Sequence, residues 1–442
     1  MPLYGMHAGV YKKRKPENSD FYKIVFHYYE EYEKVYPERF EKEYGYLRKR
    51  VIEVIYKFLD CGILEHGMAR VYCKKCGHDY FIAFSCKTRF LCPSCTQKRK
   101  LVWTDWVNNK VLRNTDHRHW IFTIPRVLRK LFYKDRSLLA QLANCAKETL
   151  FEMFKAVYPD NGYKPGIILS IQTAGDLMTW HPHIHCLVSD GSFDKQENFH
   201  PIPAMDSKKA MIIFREKVFN RLKENNRISD LLISKMRQWN HSGFSVYNEV
   251  KVEENHSDQL EKIAQYIVHP TFFADKIKYN QDTGSVIYKS RMHLGKKRNF
   301  EVLDAIEFLH RVCLHIPDPY ESLIRYYGFY SNAARGRRKK LGLEKDNSEN
   351  IKFEMIDDSP SKRACRKFWS QLIFKIYEVD PLKCTFCGSE MTIISFIQDH
   401  QEIKKILKFL DLWPIQYPQP PPRASPIHTK LLSKLAASKN LN

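Results

Sequence analysis

The sequence contains no long hydrophobic run, and no apolar stretch approaches the ~20 residues that a membrane-spanning helix requires. No hydrophobic stretch follows the charges of the amino-terminal segment Met1 to Lys15, so no signal peptide is expected. The sequence also has no internal repeat. These absences predict a cytoplasmic protein with no membrane partner.

Negative charge is scarce: 50 Asp and Glu stand against 72 Lys and Arg, which gives a formal net charge of +22 and an isoelectric point near 9.3. An excess this large predicts attraction to a polyanion. The alternatives are a basic protein of another kind or a membrane-surface binder. Hydrophobic residues make up 43% of the chain, enough for a core, and 442 residues suggest two to four domains at roughly 150 residues each.

Composition and periodicity predict four regions along the chain. Residues 1–60 should be helical, because their apolar positions recur at helical spacing. Residues 61–110, rich in cysteine and basic residues, should form a zinc-binding module. Residues 111–334 mix strand-like and helical runs, which predicts an α+β domain on an antiparallel sheet. Residues 335–442 should form a basic surface linker and a carboxy-terminal region. The individual segments predicted are strands at His119 to Ile124, Ile167 to Thr173, His183 to Ser189 and Met391 to Ile397, a helix at Phe368 to Tyr377 and an extended Pro-rich stretch at Tyr417 to Pro426.

Clustered cysteines in a reducing compartment indicate metal ligands before disulfides. Two C-x2-C motifs, Cys73/Cys76 and Cys92/Cys95, are separated by 15 residues. Each turns two thiolates toward one point, so together they predict a tetrahedral, structural zinc site with no open position. Unrelated buried cysteines are the alternative. The residues that could replace a ligand or hold a second ion are Cys61, His66, His78 and Cys86.

A third C-x2-C motif, Cys384/Cys387, has no second pair near it in the sequence. The other candidate ligands in this region, His400 and His428, are distant. We therefore interpret this motif as a half site or a remnant.

Basic residues form two groups that could contact DNA. The first group surrounds the second cysteine motif and consists of Arg89, Lys98, Arg99 and Lys100. The second opens the predicted linker and includes Arg335 and Arg337. A solvated charged face is the alternative for the first group.

A strand-like segment contains His183 and His185 on either side of Ile184. Side chains alternate along a strand, so the two imidazoles share one face while Ile184 and Cys186 point to the core. Two imidazoles and a third ligand can hold a divalent ion with open positions, which polarises a scissile phosphate. His181 would extend this face to three histidines. A zinc hydrolase site or an ordinary strand would show the same pattern.

The preceding strand, Ile167 to Gln172, leads through the turn Ala174 to Asp176 into the histidine strand. A hairpin of this kind would place Gln172 beside the histidine pair as a candidate third metal ligand. Gln172 could equally be an ordinary strand residue.

Tyrosine can act as a nucleophile that forms a covalent phosphodiester. One tyrosine, Tyr266, lies in a segment predicted to be an amphipathic helix that ends before Pro270. Tyr266 is well off the apolar stripe, with Lys262 one turn before it and His269 nearly one turn after it. An ordinary half-exposed tyrosine is the alternative. The stripe consists of Leu260, Ile263, Ala264 and Ile267.

Taken together, these segments resemble the HUH endonuclease superfamily, in which U is a hydrophobic residue. The chain looks most similar to the rolling-circle transposases of bacterial insertion sequences, relatives of the eukaryotic Helitrons. The resemblance covers most of the chain. The segments that carry it are Phe84 to Cys95, His181 to Val188, Ala264 to Ile267, His315 to Pro317 and Arg325 to Asn332.

The resemblance implies a ferredoxin-like sheet with the histidine pair on a central strand and Mg²⁺ or Mn²⁺ as the ion. It implies that the protein nicks single-stranded DNA at the ends of the element and at the target site. Cleavage in this family leaves a 5′-phosphotyrosine and a free 3′-hydroxyl, and the strands are then rejoined without a nucleotide cofactor. The nucleophile implied here is Tyr266.

One feature departs from the family pattern. Many relatives carry two tyrosines four residues apart on this helix, whereas the earlier position here is Lys262. The chain is therefore assigned to the single-tyrosine relatives, and a scheme with two tyrosines holding two strands at once is in doubt. Lys262 could instead pair with a DNA phosphate.

Other functions remain open from the sequence. A replication initiator or relaxase would use the same chemistry, and mobilisation of an intact element would separate it from a transposase. A non-catalytic zinc-finger protein that binds nucleic acid would explain the charge and the cysteines but not the histidine strand. A metal-dependent hydrolase would turn over repeatedly without a protein–DNA adduct.

Overall fold

The computed structural model describes residues 15–88, 90–160, 162–268, 270–293, 298–342 and 382–413. The predicted helix at Phe368 to Tyr377 and the Pro-rich stretch at Tyr417 to Pro426 lie outside these residues, as do Arg89, His269 and His428. Among the described helices, none is both long and apolar enough to cross a bilayer.

Helices and strands are interspersed along the described chain. The helices are α1 (Asp20–Arg39), α2 (Glu41–Tyr44), α3 (Lys49–Leu59), α4 (Pro93–Lys110), α5 (Arg126–Lys134), α6 (Ser137–Val157), α7 (Ser207–Glu224), α8 (Asp230–Arg237), α9 (Ser257–Ile267), α10 (Ala305–Leu314), α11 (Asn332–Lys340) and α12 (His400–Phe409). The strands are β1 (Met68–Tyr72), β2 (Asp79–Ala83), β3 (His117–Thr123), β4 (Lys164–Ala174), β5 (Trp180–Phe193), β6 (Phe199–Pro201), β7 (Ser245–Tyr247), β8 (Lys251–Val252), β9 (Ile277–Asn280), β10 (Ser285–His293), β11 (Arg298–Asp304), β12 (Ile324–Gly328) and β13 (Thr392–Ile397).

The largest sheet has the strand order β12-β4-β5-β3-β7, with β6 on β5 and β8 on β3. All of its strand pairs are antiparallel, and β4 and β5 form the long hairpin that the sequence predicts. The predicted strands correspond to β3, β4, β5 and β13. The structure thus confirms the predicted α+β class and antiparallel sheet.

Both faces of this sheet are covered by helices. One face packs against α5 to α8 in a core that includes Trp120, Ile184 and Cys186, all essentially buried. On the other face, Ile168 and Leu187 of the sheet pack with residues of α4 and α9. The two cores are separate because side chains alternate along a strand, so that neighbouring residues of β5 pack into cores on opposite faces of the sheet.

A second core unites the amino-terminal helices with β9 to β11 and α10. Phe21 of α1, for example, lies with its ring centroid 4.7 Å from that of Phe272. Arg48 fixes the same junction by donating hydrogen bonds to the carbonyl oxygens of Cys313 and Ile316. The amino-terminal helices therefore share a core with residues of the region 111–334 that the sequence predicts to be the α+β domain.

The structure corrects the predicted surface linker at its start. Residues Asn332–Lys340 form helix α11, and Arg338 within it is only 7% exposed. The Arg338 guanidinium lies 4.0 Å from the ring centroid of Phe329, and its Nη1 donates to the Phe329 carbonyl oxygen at 2.9 Å. The basic composition suggested a solvated segment, but aromatic rings cover part of these charges.

Candidate active site and cysteine centres

The histidine pair lies on β5, the middle strand of the main sheet. His183 is opposite Gln172 on β4 and Thr123 on β3. His185, two residues further along β5, also lies between these two strands. The two imidazole centroids are 4.8 Å apart. His185 is only 2% exposed, whereas His183 is partly exposed. Strand alternation thus brings both imidazoles to one face, opposite the core that buries Ile184.

His119 on β3 is a site residue that the sequence analysis missed. Its Nε2 atom lies 2.9 Å from Nδ1 of His185, and the two rings are nearly parallel with centroids 5.1 Å apart. Burial lowers the pKa of His119 to about 4, so the ring is neutral at neutral pH. The sequence contains a signal, because His117 and His119 lie two positions apart on a strand and so share a face. Only the pairing of β3 with β5 shows that this face lies beside the histidine pair.

The imidazole of His183 is also held in place by its own strand. Its Nδ1 lies 2.6 Å from the carbonyl oxygen of His181, which makes Nε2 the candidate ligand atom. The ring of His181 is 5.0 Å from that of His183, centroid to centroid. Burial, followed by the charge of His183, lowers the pKa of His181 to about 3.

Gln172 joins the sheet to the tyrosine helix. Its amide nitrogen donates to the carbonyl oxygen of Ile267 at 3.1 Å and to that of Tyr266 at 3.4 Å. The amide oxygen of the same side chain remains the atom that could bind a metal beside His183. The position of Gln172 opposite His183 follows from the predicted hairpin. The hydrogen bonds from Gln172 to α9 could not be predicted from the sequence.

Tyr266 lies above the histidine rings, at the carboxyl end of α9. Its ring centroid is 5.4 Å from that of His185 and 5.8 Å from that of His119, both edge-on. The tyrosine is 48% exposed, while Ala264 and Ile267 on the predicted stripe are fully buried. Packing of this stripe against the sheet therefore directs the Tyr266 ring toward the histidines.

Tyr279 and Tyr288, two tyrosines that follow Tyr266 in the chain, do not lie beside the histidine pair. Tyr279 and Tyr288 are on β9 and β10, in a different sheet. Tyr288 is 5% exposed, and burial raises its pKa to about 12. The hydroxyl groups of Tyr279 and Tyr28 are 3.4 Å apart, and burial also raises the pKa of Tyr279. Of Tyr266, Tyr279 and Tyr288, only Tyr266 lies against the histidine pair.

Eight of the described cysteines assemble into two clusters, and these differ from the predicted grouping. In the first, the sulfur atoms of all four residues lie within 4.8 Å of one another, and the members are Cys73, Cys76, Cys384 and Cys387. In the second, the same limit holds for Cys61, Cys86 and Cys92, and Cys95 Sγ is 3.9 Å from Cys86 Sγ. Within the described part of the chain, these are the two groups of three or more His, Cys, Asp or Glu side chains with such spacing.

The predicted set of Cys73, Cys76, Cys92 and Cys95 is therefore wrong in its pairing. Cys61 and Cys86, considered only as alternates, belong with the second motif. The interpretation of Cys384/Cys387 as a half site or remnant is also wrong. Sequence spacing favours the nearest motif, whereas strand pairing brings Cys387 to Cys73 across 314 positions.

Apart from Arg89, which lies outside the described residues, the predicted DNA-contacting residues occupy three helices on the histidine side of the sheet. Lys98, Arg99 and Lys100 are half-buried in α4, which packs against α9, and Arg99 lies 4.7 Å from the ring centroid of Phe90. Burial lowers the pKa of Lys100. Lys262 is exposed on α9.

Helix α11 supplies the remaining predicted contacts. The guanidinium of Arg335 lies 4.8 Å from the ring centroid of Trp106 in α4, and Arg337 is exposed. This stacking fixes α11 beside α4. Basic residues from both predicted groups thus lie on one side of the molecule, which the sequence alone could not show.

Comparisons with known proteins agree with this arrangement. A family of proteins described as "Transposase zinc-binding domain" matches residues 29–124, and one described as "Putative transposase" matches residues 166–338. The chain is 25% identical over 376 residues to the transposase of insertion sequence element IS801 from Pseudomonas savastanoi pv. phaseolicola, covering 80% of this chain and 86% of that protein. It is also 24% identical over 297 residues to "Putative transposase y4qJ" of Sinorhizobium fredii, covering 62% and 72% of the two chains.

The zinc-binding match contains the cysteine-rich module, and the transposase match contains the strand of the antiparallel sheet that carries the histidine pair. The chain therefore carries both domains of an insertion-sequence transposase, the zinc-binding domain and the transposase domain, and it is similar to such a transposase over most of its length. No solved structure matches it.

Proposed function

We propose that this transposase cuts and rejoins single-stranded DNA through a covalent bond between Tyr266 and a 5′ phosphate. The Tyr266 oxygen attacks the phosphorus and its proton passes to solvent. The bond from phosphorus to the 3′ oxygen breaks, and that oxygen leaves as a hydroxyl after taking up a proton. Attack by a 3′-hydroxyl on the phosphotyrosine reverses the step and joins the strands.

The observation that carries this proposal is the 5.4 Å separation between the ring centroids of Tyr266 and His185. These residues come from separate elements, and the tyrosine is half-exposed, so a phosphate can reach it. The preference for single strands rests on the resemblance to HUH nucleases. We likewise infer the ferredoxin-like form of the sheet and a nuclease unit within residues 111–334, supported by the central position of β5.

A divalent cation fits the residues beside Tyr266. His183 and His185 offer imidazole nitrogens and Gln172 an amide oxygen, a mixed set that suits Mn²⁺ better than Mg²⁺, which prefers oxygen ligands. When bound, such an ion would polarise the scissile phosphate. His119 would accept a hydrogen bond from Nδ1 of His185, which holds that ring with Nε2 as the ligand atom.

The test is incubation of the protein with end-labelled single-stranded DNA from the element's ends and Mn²⁺, followed by a denaturing gel. We expect a protein–DNA adduct that survives denaturation and disappears after protease treatment. Repeated turnover to free 5′-phosphate ends without an adduct would instead indicate a metal-dependent hydrolase.

Gln172→Ala should reduce nicking about 10- to 100-fold, the range typical for loss of a group that positions a metal site. The variant loses both the candidate ligand oxygen and the hydrogen bonds to α9. Gln172→Glu keeps an oxygen ligand but cannot donate to the helix, so it separates the two roles. Gln141→Ala, on the opposite helical layer, is the matched control. Nicking by Gln172→Ala at the wild-type rate would remove this residue from the site.

Binding to single-stranded DNA should depend strongly on salt, because each neutralised phosphate adds about 0.7 to the log–log slope. Replacing Lys98, Arg99 and Lys100 with alanine should flatten the slope by up to about 2 if all three contact phosphates. The affinity should be measured by fluorescence anisotropy across a salt series.

A triple alanine variant of exposed lysines on the opposite helical layer serves as the control, at Lys208, Lys209 and Lys235. It should leave the slope nearly unchanged. An unchanged slope in the α4 variant would move the phosphate contacts elsewhere, with α11 the next region to test.

A further inference from the structure

The first cysteine cluster is built from two turns with the same backbone structure. In one turn the Gly77 N–H donates to the Cys73 carbonyl oxygen, and in the other the Gly388 N–H donates to that of Cys384, both at 2.9 Å. The N–H of Cys73 and that of Cys384 each donate to a carbonyl oxygen five residues later, both at 2.8 Å. The two glycines have φ values of +75° and +68°, a conformation that favours glycine. The turns are thus equivalent halves of one site.

Strand pairing brings the two turns together. β13 pairs antiparallel with β1, from Met68 opposite Ile397 to Tyr72 opposite Thr392, and β2 pairs with the other edge of β1. The resulting sheet has the order β13-β1-β2. One of its strands therefore comes from more than 300 positions away in the chain.

Hydrophobic packing supports the same association. Val71 of β1 is buried in one small core with Met391 and Ile393 from the carboxy-terminal segment. Ile403 and Leu407 of α12 are buried against Leu64 and Met68. Residues 382–413 thus supply both a strand and a helix to the cysteine-rich module.

The sulfur atoms are spaced as metal ligands. The Sγ atoms of Cys73 and Cys387 are 3.5 Å apart, as are those of Cys76 and Cys384. Tetrahedral coordination with Zn–S bonds of about 2.3 Å separates sulfurs by roughly 3.8 Å, whereas a disulfide requires about 2.05 Å. Three of the four residues are buried or partly buried, and four thiolates leave no open position.

We propose that Cys73, Cys76, Cys384 and Cys387 bind a second structural zinc ion, which fastens the carboxy-terminal segment to the amino-terminal module. The first ion is held by the cluster of Cys61, Cys86, Cys92 and Cys95. Binding releases the thiol protons to solvent and involves no change of oxidation state. The module is therefore completed only when residues 382–413 have folded onto it, and these residues lie well beyond the matched domain at residues 29–124.

Zinc content of the purified full-length protein tests this proposal. We expect two zinc ions per chain in the wild type, and one each in Cys76→Ser and Cys384→Ser. The combined Cys76→Ser, Cys384→Ser protein should still hold one, because both residues serve the same ion. The combined Cys92→Ser, Cys384→Ser protein should hold none.

Two controls separate metal binding from folding. Cys145→Ala changes a buried cysteine outside both clusters and should retain two ions. Met391→Ala weakens the packing of the same small core without removing a ligand, and it should also retain two. Hydrogen exchange should show that Cys384→Ser loses protection in β13 and α12 while β3 to β5 remain protected.

The outcomes are distinct. The proposal would be overturned if the Cys384→Ser protein held two zinc ions. It would also be overturned if the wild type held a single ion and the Cys384→Ser protein retained it. One ion in the wild type that is lost in both Cys76→Ser and Cys92→Ser would restore the single site expected from the sequence spacing.

Discussion

Tyr266→Phe should reduce formation of the covalent protein–DNA adduct by at least about 10³-fold, because the substitution removes the attacking oxygen and nothing else of consequence. The ring stays in place against His119 and His185, and the side chain is half-exposed, so folding should be unaffected. Binding to single-stranded DNA should persist at nearly the wild-type affinity. The adduct is measured by denaturing gel and the affinity by anisotropy.

The matched controls are Tyr279→Phe and Tyr288→Phe, which remove hydroxyl groups from the separate sheet of β9 to β11. Both should form the adduct at the wild-type rate. If Tyr266→Phe still forms it, one of these tyrosines or another nucleophile must carry the reaction.

His183→Ala and His185→Ala should each reduce Mn²⁺-dependent nicking by about 10³-fold or more, since each removes a proposed metal ligand. His119→Ala should have a smaller effect, about 10- to 100-fold, because this residue orients His185 and does not bind the ion. Removal of the metal with EDTA should abolish nicking by the wild-type protein, and added Mn²⁺ should restore it. The structural zinc must be shown to survive the treatment by measuring metal content.

His200→Ala provides the control for the metal prediction, because His200 pairs with Asp194 beyond the far end of the histidine strand. It should nick normally. Full nicking activity in EDTA by protein that has been checked for residual Mn²⁺ and Mg²⁺ would contradict a catalytic cation. A loss in His119→Ala as large as that in His185→Ala would assign His119 to the ligands themselves.

The parts of this fold that the sequence could predict are those set by local periodicity. Alternation along β5 predicted that His183 and His185 share a face, and the helical stripe of α9 predicted that Tyr266 stands away from Ile267. The hairpin register that sets Gln172 opposite His183 followed from a short turn. Each of these features depends on residues within a few positions of one another, so no knowledge of long-range pairing was required.

The parts that the sequence could not predict depend on contacts between distant segments. His119 reaches His185 only because β3 is the neighbour of β5 in the sheet. Cys384 joins Cys76 only because β13 pairs with β1. Spacing along the chain favoured the nearer motif at Cys92, which is why the predicted zinc set combined the wrong halves. Cysteine motifs in such a protein have to be counted across the whole chain before they are paired.

The position of the basic residues is a further long-range property. Arg335 belongs with the site only because its guanidinium stacks on Trp106 of α4. As a result, α4, α9 and α11 form one side of the molecule, with Tyr266 half-exposed on it. A DNA strand that reaches the tyrosine would therefore run beside the basic helices α4 and α11, which come from separate parts of the sequence.

Identification of the covalently modified residue tests the central claim most directly. The adduct formed with a short single-stranded oligonucleotide and Mn²⁺ should be digested with trypsin and nuclease and analysed by tandem mass spectrometry. The proposed mechanism predicts a nucleotide remnant on the peptide that contains Tyr266, attached to the tyrosine oxygen through its 5′ phosphate. A remnant on any other residue, or one attached through a 3′ phosphate, would contradict it.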